Sequence, residues 1–193
     1  MSIRLLPNTL VNQIAAGEVI ERPFAAVKEL VENAIDAGAS RVDIVIRDGG
    51  RSLISVTDDG IGMDSDDLNL AVERHATSKL PDEDLVHISS LGFRGEALPS
   101  IGAISRLKIT TRTEGSNSGI GITVEGGEKS DIFPTSQNKG TRIEIRDLFY
   151  ATPARLKFLK TPRTEAGQVK DTVQRLAMAY PDISFTLPPY IKI

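Results

Sequence analysis

Hydrophobic and polar positions alternate between two periods along this chain, and the changes of period mark its elements. From Asn8 to Ala16 apolar residues recur at helical spacing, with Asn8 as a possible cap and Gly17 following. A second helix is predicted from Pro23, a residue favoured at the first helical position, to about Asp36, stopping at Gly38. Val42, Ile44 and Ile46 then alternate with polar neighbours, as do Leu53 and Ser55 beyond Asp48, Gly49 and Gly50, which predicts a β-hairpin. Ser65 is placed to cap a helix over Asp66 to Arg74, with acids in its first turn. A polar stretch, His75 to Ser90, leads into the glycine-spaced LGFRGEALPSIG. Strand patterns return at Leu107 to Thr111, Ile120 to Val124 and Thr141 to Ile145. Ala154 to Leu159 and Thr164 to Ala179 read as helices, and SFTLPPYIKI as a strand broken by Pro188 and Pro189. Strands do not alternate strictly with helices, so a fully parallel doubly wound sheet is disfavoured. The order predicts an α+β fold, a two-layer sandwich with a mixed, mostly antiparallel sheet covered on one face by helices.

Composition narrows the classes. A chain of 193 residues suits one domain with a substantial core. There is no internal repeat, and no apolar run has the length of a membrane span. The N-terminus, MSIRLLPNTLVNQ, lacks the apolar core of a secretion signal. Absence of cysteine excludes disulfides, thiol catalysis and thiolate metal sites, and fits a reducing, cytoplasmic setting. Net charge is −3, unevenly spread: residues 1–100 carry 17 acids against 9 bases, and residues 101–193 carry 9 against 14. An acidic half suits metal or carboxylate chemistry, and a basic half can meet phosphates.

Three stretches carry candidate chemistry. The first is ELVENAIDAG, from Glu29 to Gly38. An α-helix turns about 100° per residue, so with Glu29 at zero, Asn33 falls at about +40° and Asp36 at about −20°. Val27, Leu30, Val31, Ala34 and Ile35 fall on the opposite side. The polar strip is either a solvated helix face or a site. In a site, Glu29 accepts a proton from water, Asn33 offers a neutral hard oxygen suited to Mg²⁺, and Asp36 holds water or supports the others. The second is DDGIGM, from Asp58 to Met63. It is either a turn or a base-reading loop. In the loop reading, Asp58 accepts from an exocyclic amine, and Gly60 and Gly62 admit a flat ring to the backbone. The third is GFRGEAL, from Gly92 to Leu98. It is either a flexible loop or an anion site, in which glycines opening a helix present N–H groups and Lys79 and Arg94 add charge. The chain has no phosphate-binding P-loop pattern and no dinucleotide fingerprint.

His75 and His87 read as structural donors. The bases Arg155, Lys157, Lys160 and Arg163 read as a solvated helix face or as contacts to a DNA backbone, without the interleaved aromatics that stack bases.

Taken together, ELVENAIDAG, the D-x-G-x-G run, a glycine loop opening a helix, and Gly140 with Thr141 on a late strand resemble the GHKL ATPases. That superfamily includes gyrase B subunits, heat-shock chaperones, histidine kinases and MutL-type mismatch-repair proteins. NQIAAGEVIERP (Asn12 to Pro23), RHATSK (Arg74 to Lys79), GFRGEAL and LFYATPARLKFL (Leu148 to Leu159) look like the MutL type in particular. The resemblance implies roles for individual residues. Glu29 is the general base that orients water, and Asn33 ligates Mg²⁺, with Asp36 in support. Asp58 reads the adenine amine, Gly62 lets the ring lie against the loop, and Thr141 supports the adenine pocket through water. Thr77, Ser78 and Lys79 belong to an ATP lid. Gly92, Phe93, Arg94, Gly95, Glu96, Ala97 and Leu98 wrap the phosphates.

The resemblance further implies a slow Mg-dependent ATPase that acts as a switch. ATP binding closes the lid, favours a homodimer and recruits a mismatch-recognition protein and other repair factors. DNA contact is weak and non-specific. The site is cytoplasmic in a bacterium and nuclear in a eukaryote. Residues 1–193 read as the ATPase domain, ending near the start of a following domain that supplies a lysine to the γ-phosphate. A C-terminal dimerisation domain lies beyond it, so the short chain is expected to be monomeric and weakly active. Two other functions compete: a nucleotide-sensing module without useful turnover, favoured if Glu29 is idle, and a histidine-class kinase, which needs an acceptor-histidine domain not visible here.

Overall fold

The computed structural model describes residues 4–74, 76, 91 and 95–188. In chain order the elements are α1 (Asn8–Val19), α2 (Pro23–Asp36), β1 (Arg41–Arg47), β2 (Leu53–Asp58), α3 (Ser65–Ala71), α4 (Ala97–Ile104), β3 (Arg106–Arg112), β4 (Gly119–Glu125), β5 (Glu128–Lys129), β6 (Phe133–Thr135), β7 (Gly140–Arg146), α5 (Pro153–Leu156), α6 (Pro162–Ala179) and β8 (Ser184–Thr186). The strands form one sheet in the order β5-β4-β3-β7-β2-β1-β8, with β6 also paired to β4. Every pairing is antiparallel except β1 with β8. The sheet is therefore mixed and mostly antiparallel, as the order of patterns predicts.

Strand register explains why one face is covered. Side chains alternate across a strand, so residues in register share a face. Ile46 stands opposite Ile54, Ile54 opposite Ile145, and Ile145 opposite Leu107, which faces Val124. The next row is Ile44, Val56, Ile143, Ile109 and Ile122. Apart from Ile46, which is half-buried and packs against the core, these rows are buried with Val27, Leu30, Val31 and Ala34 of α2 and Ile101 and Ile104 of α4 in one cluster. The other face carries Arg47, Arg106, Lys108, Arg142 and Arg146, all exposed. Ion pairs stud it, across strands between Arg106 of β3 and Glu125 of β4 at 3.7 Å, and along β7 between Arg142 and Glu144 at 2.6 Å.

Several boundaries differ from expectation. α1 does not stop at Gly17 but runs to Val19. Gly17 is buried, and a Cβ there would lie 2.5 Å from Nε of Arg155, so glycine admits the guanidinium against the helix. That packing outweighs the roughly 1 kcal/mol helical cost of glycine. Pro7, not Asn8, holds the capping position of α1. The cap of α3 is Asp64, whose carboxylate accepts from Asp67 N at 2.9 Å, and the helix ends at Ala71 rather than Arg74. α5 and α6 each begin on a proline, one or two residues ahead of the predicted starts, and α5 closes at Leu156.

Past α5 the chain is turned by side chains. Glu165, 2% exposed, takes Nη1 of Arg22 at 2.6 Å and Lys160 N at 2.7 Å. Nη2 of Arg22 donates to the Phe158 carbonyl at 3.1 Å. Phe149 is fully buried at φ 72°, a left-handed conformation that costs a bulky residue about 1–2 kcal/mol. Its N–H donates to Ile104 O at 2.9 Å, so the LFYATPAR stretch joins the end of α4 to the sheet.

Candidate functional site

At one end of the buried sheet face the apolar rows give way to polar side chains. Continuing the register beyond Val56, Ile143 and Ile109 brings Asp58, Thr141 and Thr111 side by side on adjacent strands, with Thr111 opposite Thr141. Hydrogen bonds tie them together. Thr141 N donates to Oδ1 of Asp58 at 3.2 Å, and Gly60 N to the same oxygen at 2.9 Å. Oγ1 of Thr111 lies 3.1 Å from Oγ1 of Thr141, donates to Gly140 O at 3.1 Å and accepts from Met63 N at 2.9 Å. Burial pushes the Asp58 carboxyl up from 3.8 to about 6. The Gly60 and Thr141 N–H groups pull it down, and the neighbouring charge of Asp59 adds to the rise.

The two adjacent aspartates do different work. Asp59 accepts from Ser40 N at 2.8 Å, Arg41 N at 2.9 Å and the Ser40 hydroxyl at 2.6 Å, which fixes the turn between α2 and β1. Burial pushes its carboxyl up, but the Ser40 hydroxyl and the N–H groups of Arg41 and Ser40 outweigh it and hold it below its ordinary value. Asp58 is left as the carboxylate at the sheet end.

Glycines close this loop onto the protein itself. A Cβ on Gly60 would stand 2.8 Å from Ala37 O. One on Gly62, at φ 73°, would stand 2.3 Å from Arg112 O, and one on Gly140, at φ 108°, 2.1 Å from Asp58 O. Gly60 and Gly62, expected to admit an approaching ring, are already demanded by protein backbone.

Helix α2 borders the loop. Ile61 N donates to Ala37 O at 3.1 Å, pinning the C-terminal end of α2 to residues 58–62. Its faces divide as the 100° rotation requires: Val27, Leu30, Val31 and Ala34 are buried, Ile35, Glu29 and Asn33 half-buried, and Asp36 exposed. Asp36 accepts from Leu91 N at 3.2 Å, so it ties down the chain ahead of the glycine loop.

Helix α4 starts at Ala97, as the GFRGEAL pattern predicts. Gly95 has φ 62°, and a Cβ there would meet Ala76 O at 2.2 Å, so the chain before α4 lies directly on the chain after Arg74. Arg74 reaches back to Asn12 O of α1 at 3.2 Å and stands 3.9 Å from Glu96. Ala97 and Leu98 are half-buried, and Leu98 packs against the core. The candidates Thr77, Ser78, Lys79, Gly92, Phe93 and Arg94 lie outside the described residues, as do His75 and His87.

Among the described residues no group of three or more His, Asp or Glu side chains converges as a metal site. Mg²⁺ characteristically uses one or two protein oxygens and completes its shell with phosphates and water. The half-buried Asn33, with its neutral amide oxygen, fits such a single protein ligand, and Glu29 stands one helical turn before it.

Comparison with known proteins decides the family. Residues 20–145, which span α2, α4 and every strand of this site, match the family described as histidine kinase-, DNA gyrase B- and HSP90-like ATPases. The chain belongs to this ATPase family. It is 67% identical over 187 residues to the DNA mismatch repair protein MutL of Paramagnetospirillum magneticum, covering 97% of this chain and 31% of that protein. Against MutL of Rhodospirillum rubrum the identity is 66%, covering 97% of this chain and 30% of that one. The chain thus spans about a third of the length of these curated relatives. Among solved structures it resembles the Aquifex aeolicus MutL ATPase domain complexed with ADP, with TM-score 0.71 and 35% identity, over 88% of this chain and 60% of that one. It also resembles the N-terminal domain of a DNA repair protein, with TM-score 0.78 and 32% identity, over 92% and 51%.

Two residues of this ATPase fold escape the sequence reading. Thr111 continues the inward series Leu107, Ile109, and a polar residue at an inward strand position was the available signal. Arg74 sits in RHATSK, but nothing in the sequence shows that it bridges α1 and α4. The basic run also divides: Arg155 packs on Gly17, Lys157 and Lys160 follow the end of α5, and Arg163 opens α6, so the four do not share one helix face.

Proposed function

We propose that this chain binds ATP with Mg²⁺ and hydrolyses it slowly, as the ATPase domain of a MutL-type mismatch-repair protein. The observation that carries this reading is the polar end of the sheet, where Asp58, Thr141 and Thr111 meet and the loop after Asp58 is bonded to Ala37 at the end of the helix that carries Glu29 and Asn33. A carboxylate at the sheet end accepts the adenine amine. Asn33 gives an oxygen to Mg²⁺, which when bound offsets charge on the triphosphate. Glu29, one turn earlier, takes the proton of the attacking water. The N-terminal end of α4, with Gly95, Glu96, Ala97 and Leu98, offers backbone N–H groups to the phosphates, together with Gly92, Phe93 and Arg94. Thr77, Ser78 and Lys79 form the lid, and Asp36 anchors its far side through Leu91 N. Phosphoanhydride hydrolysis needs positioning and charge neutralisation more than covalent help, and this division of labour provides both.

The same reading makes the domain, residues 1–193, a switch. Nucleotide closes the lid, favours a homodimer of the whole protein and recruits a mismatch-recognition protein and other repair factors, in the cytoplasm of a bacterial cell. Its contact with DNA is weak and non-specific. Identities of 66–67% with MutL proteins over almost the whole chain support this assignment. Single-turnover release of phosphate from Mg–ATP tests the catalytic part. Glu29→Ala should keep ATP and slow release by roughly 10²–10⁴-fold. Equal rates in parent and variant would remove Glu29 from the mechanism.

A further inference from the structure

Thr111 is fully buried and makes three polar contacts through one oxygen. A hydroxyl owns one proton and two lone pairs. The Gly140 carbonyl, 3.1 Å away, can only accept, so the Thr111 proton is committed to it. The Met63 N–H, at 2.9 Å, can only donate and occupies one lone pair. The remaining contact, 3.1 Å to Oγ1 of Thr141, then has to be donated by Thr141. Its proton spent, Thr141 turns only lone pairs toward whatever lies beside Asp58. The Asp58 carboxylate, taking its hydrogen bonds from described residues through Oδ1, is likewise an acceptor.

We propose that Thr111 is a specificity-determining positioning residue: by saturating its own hydroxyl it locks Thr141 as an acceptor, so that the sheet end accepts hydrogen bonds and offers none. Such an end suits a purine with an amine at position 6 and opposes one with a carbonyl there, because two facing acceptors leave both unpaired. The bond to Met63 N adds a second effect, since it holds the Gly62 turn against the end of β3. This inference rests on the ATP-binding reading above and deepens it.

The test compares Mg–ATP with Mg–ITP, which differs in carrying a carbonyl in place of the amine, by calorimetric titration of this chain. The parent should prefer ATP by at least about tenfold. Thr111→Val keeps the shape and removes the hydroxyl. It should weaken ATP binding about 5- to 10-fold and lower the ATP/ITP ratio by fivefold or more, because Thr141 is then free to rotate and donate. Thr111→Ser should restore both, which a purely space-filling role would not require. Thr141→Val, which leaves the Thr111 bonds to Gly140 and Met63 in place, should lower the ratio as well and serves if Thr111→Val does not fold. A parental ratio retained in Thr111→Val, or in Thr141→Val, overturns the inference while leaving ATP binding standing. A parent that binds ATP and ITP equally overturns the acceptor assignment. A parent that binds neither overturns the ATP reading itself.

Discussion

Asp58→Asn is the most informative single substitution, because the structure predicts both its size and its pH signature. The amide keeps an oxygen for the Gly60 and Thr141 N–H groups, so the local fold is retained. What changes is the second position, where a carboxylate oxygen becomes an NH₂ donor facing the adenine amine. Loss of a charge-assisted hydrogen bond is worth about 1.5–3 kcal/mol, or roughly 10- to 150-fold in ATP affinity at pH 8. The parent should also lose affinity on acidification. With the Asp58 carboxyl at about 6 in the empty protein, about one-tenth is ionised at pH 5, and the apparent affinity there falls about tenfold from its value at pH 8. Titration of the nucleotide phosphates is common to parent and variant, so the difference between their pH profiles isolates Asp58.

Stability moves in the opposite sense. Between 3.8 and about 6 the folded chain holds a proton that the unfolded chain has released, so this group's contribution to stability falls as pH rises through that window. Calorimetric titration between pH 5 and 8, with denaturant unfolding over the same range, checks both. Parallel pH profiles for parent and Asp58→Asn would refute the assignment of Asp58 as the adenine acceptor.

Other outcomes follow from the same geometry. Asn33→Ala should lower the Mg²⁺-dependent part of nucleotide affinity while leaving metal-free binding nearly unchanged, as read by titration with and without EDTA. Gly140→Ala would set a Cβ 2.1 Å from the Asp58 carbonyl at φ 108° and should cost at least about 1–3 kcal/mol, seen as a lower urea midpoint. Arg22→Ala strands the buried Glu165 carboxylate with the Lys160 N–H alone. It should cost about 2–3 kcal/mol by denaturant unfolding, less than for a fully buried pair because Arg22 is partly exposed.

Much of the fold is legible in local pattern. The amphipathic stripe of α2 and the β1–β2 hairpin are local, and their apolar periods match the faces they bury. Pro23 and Gly38 bound α2 as their backbone preferences require. What escapes is what depends on distant partners. α1 passes through Gly17 because Arg155, far along the chain, fills the missing Cβ volume. β5 and β6, of two and three residues, exist by pairing with β4 and are too short to show alternation. The parallel docking of β8 beside β1 has no local mark. In the candidate site, Asp58, Asn33 and Glu29 are visible because their motifs are compact. Thr111 shows in the sequence only as a polar residue at an inward strand position; its role appears once β3 and β7 are aligned, since its partners are the Gly140 carbonyl, the Thr141 hydroxyl and the Met63 N–H.

The central claim is that the Asp58, Thr141 and Thr111 end of the sheet is an adenine-nucleotide pocket. It is tested most directly by calorimetric titration of Mg–ATP and Mg–GTP into this chain and its Asp58→Ala variant at pH 8. Saturable one-to-one binding of Mg–ATP is expected, with Mg–GTP much weaker and the ATP affinity of Asp58→Ala reduced roughly 10- to 150-fold. Mg–ATP binding of equal strength in parent and variant, or no binding by the parent, would contradict it.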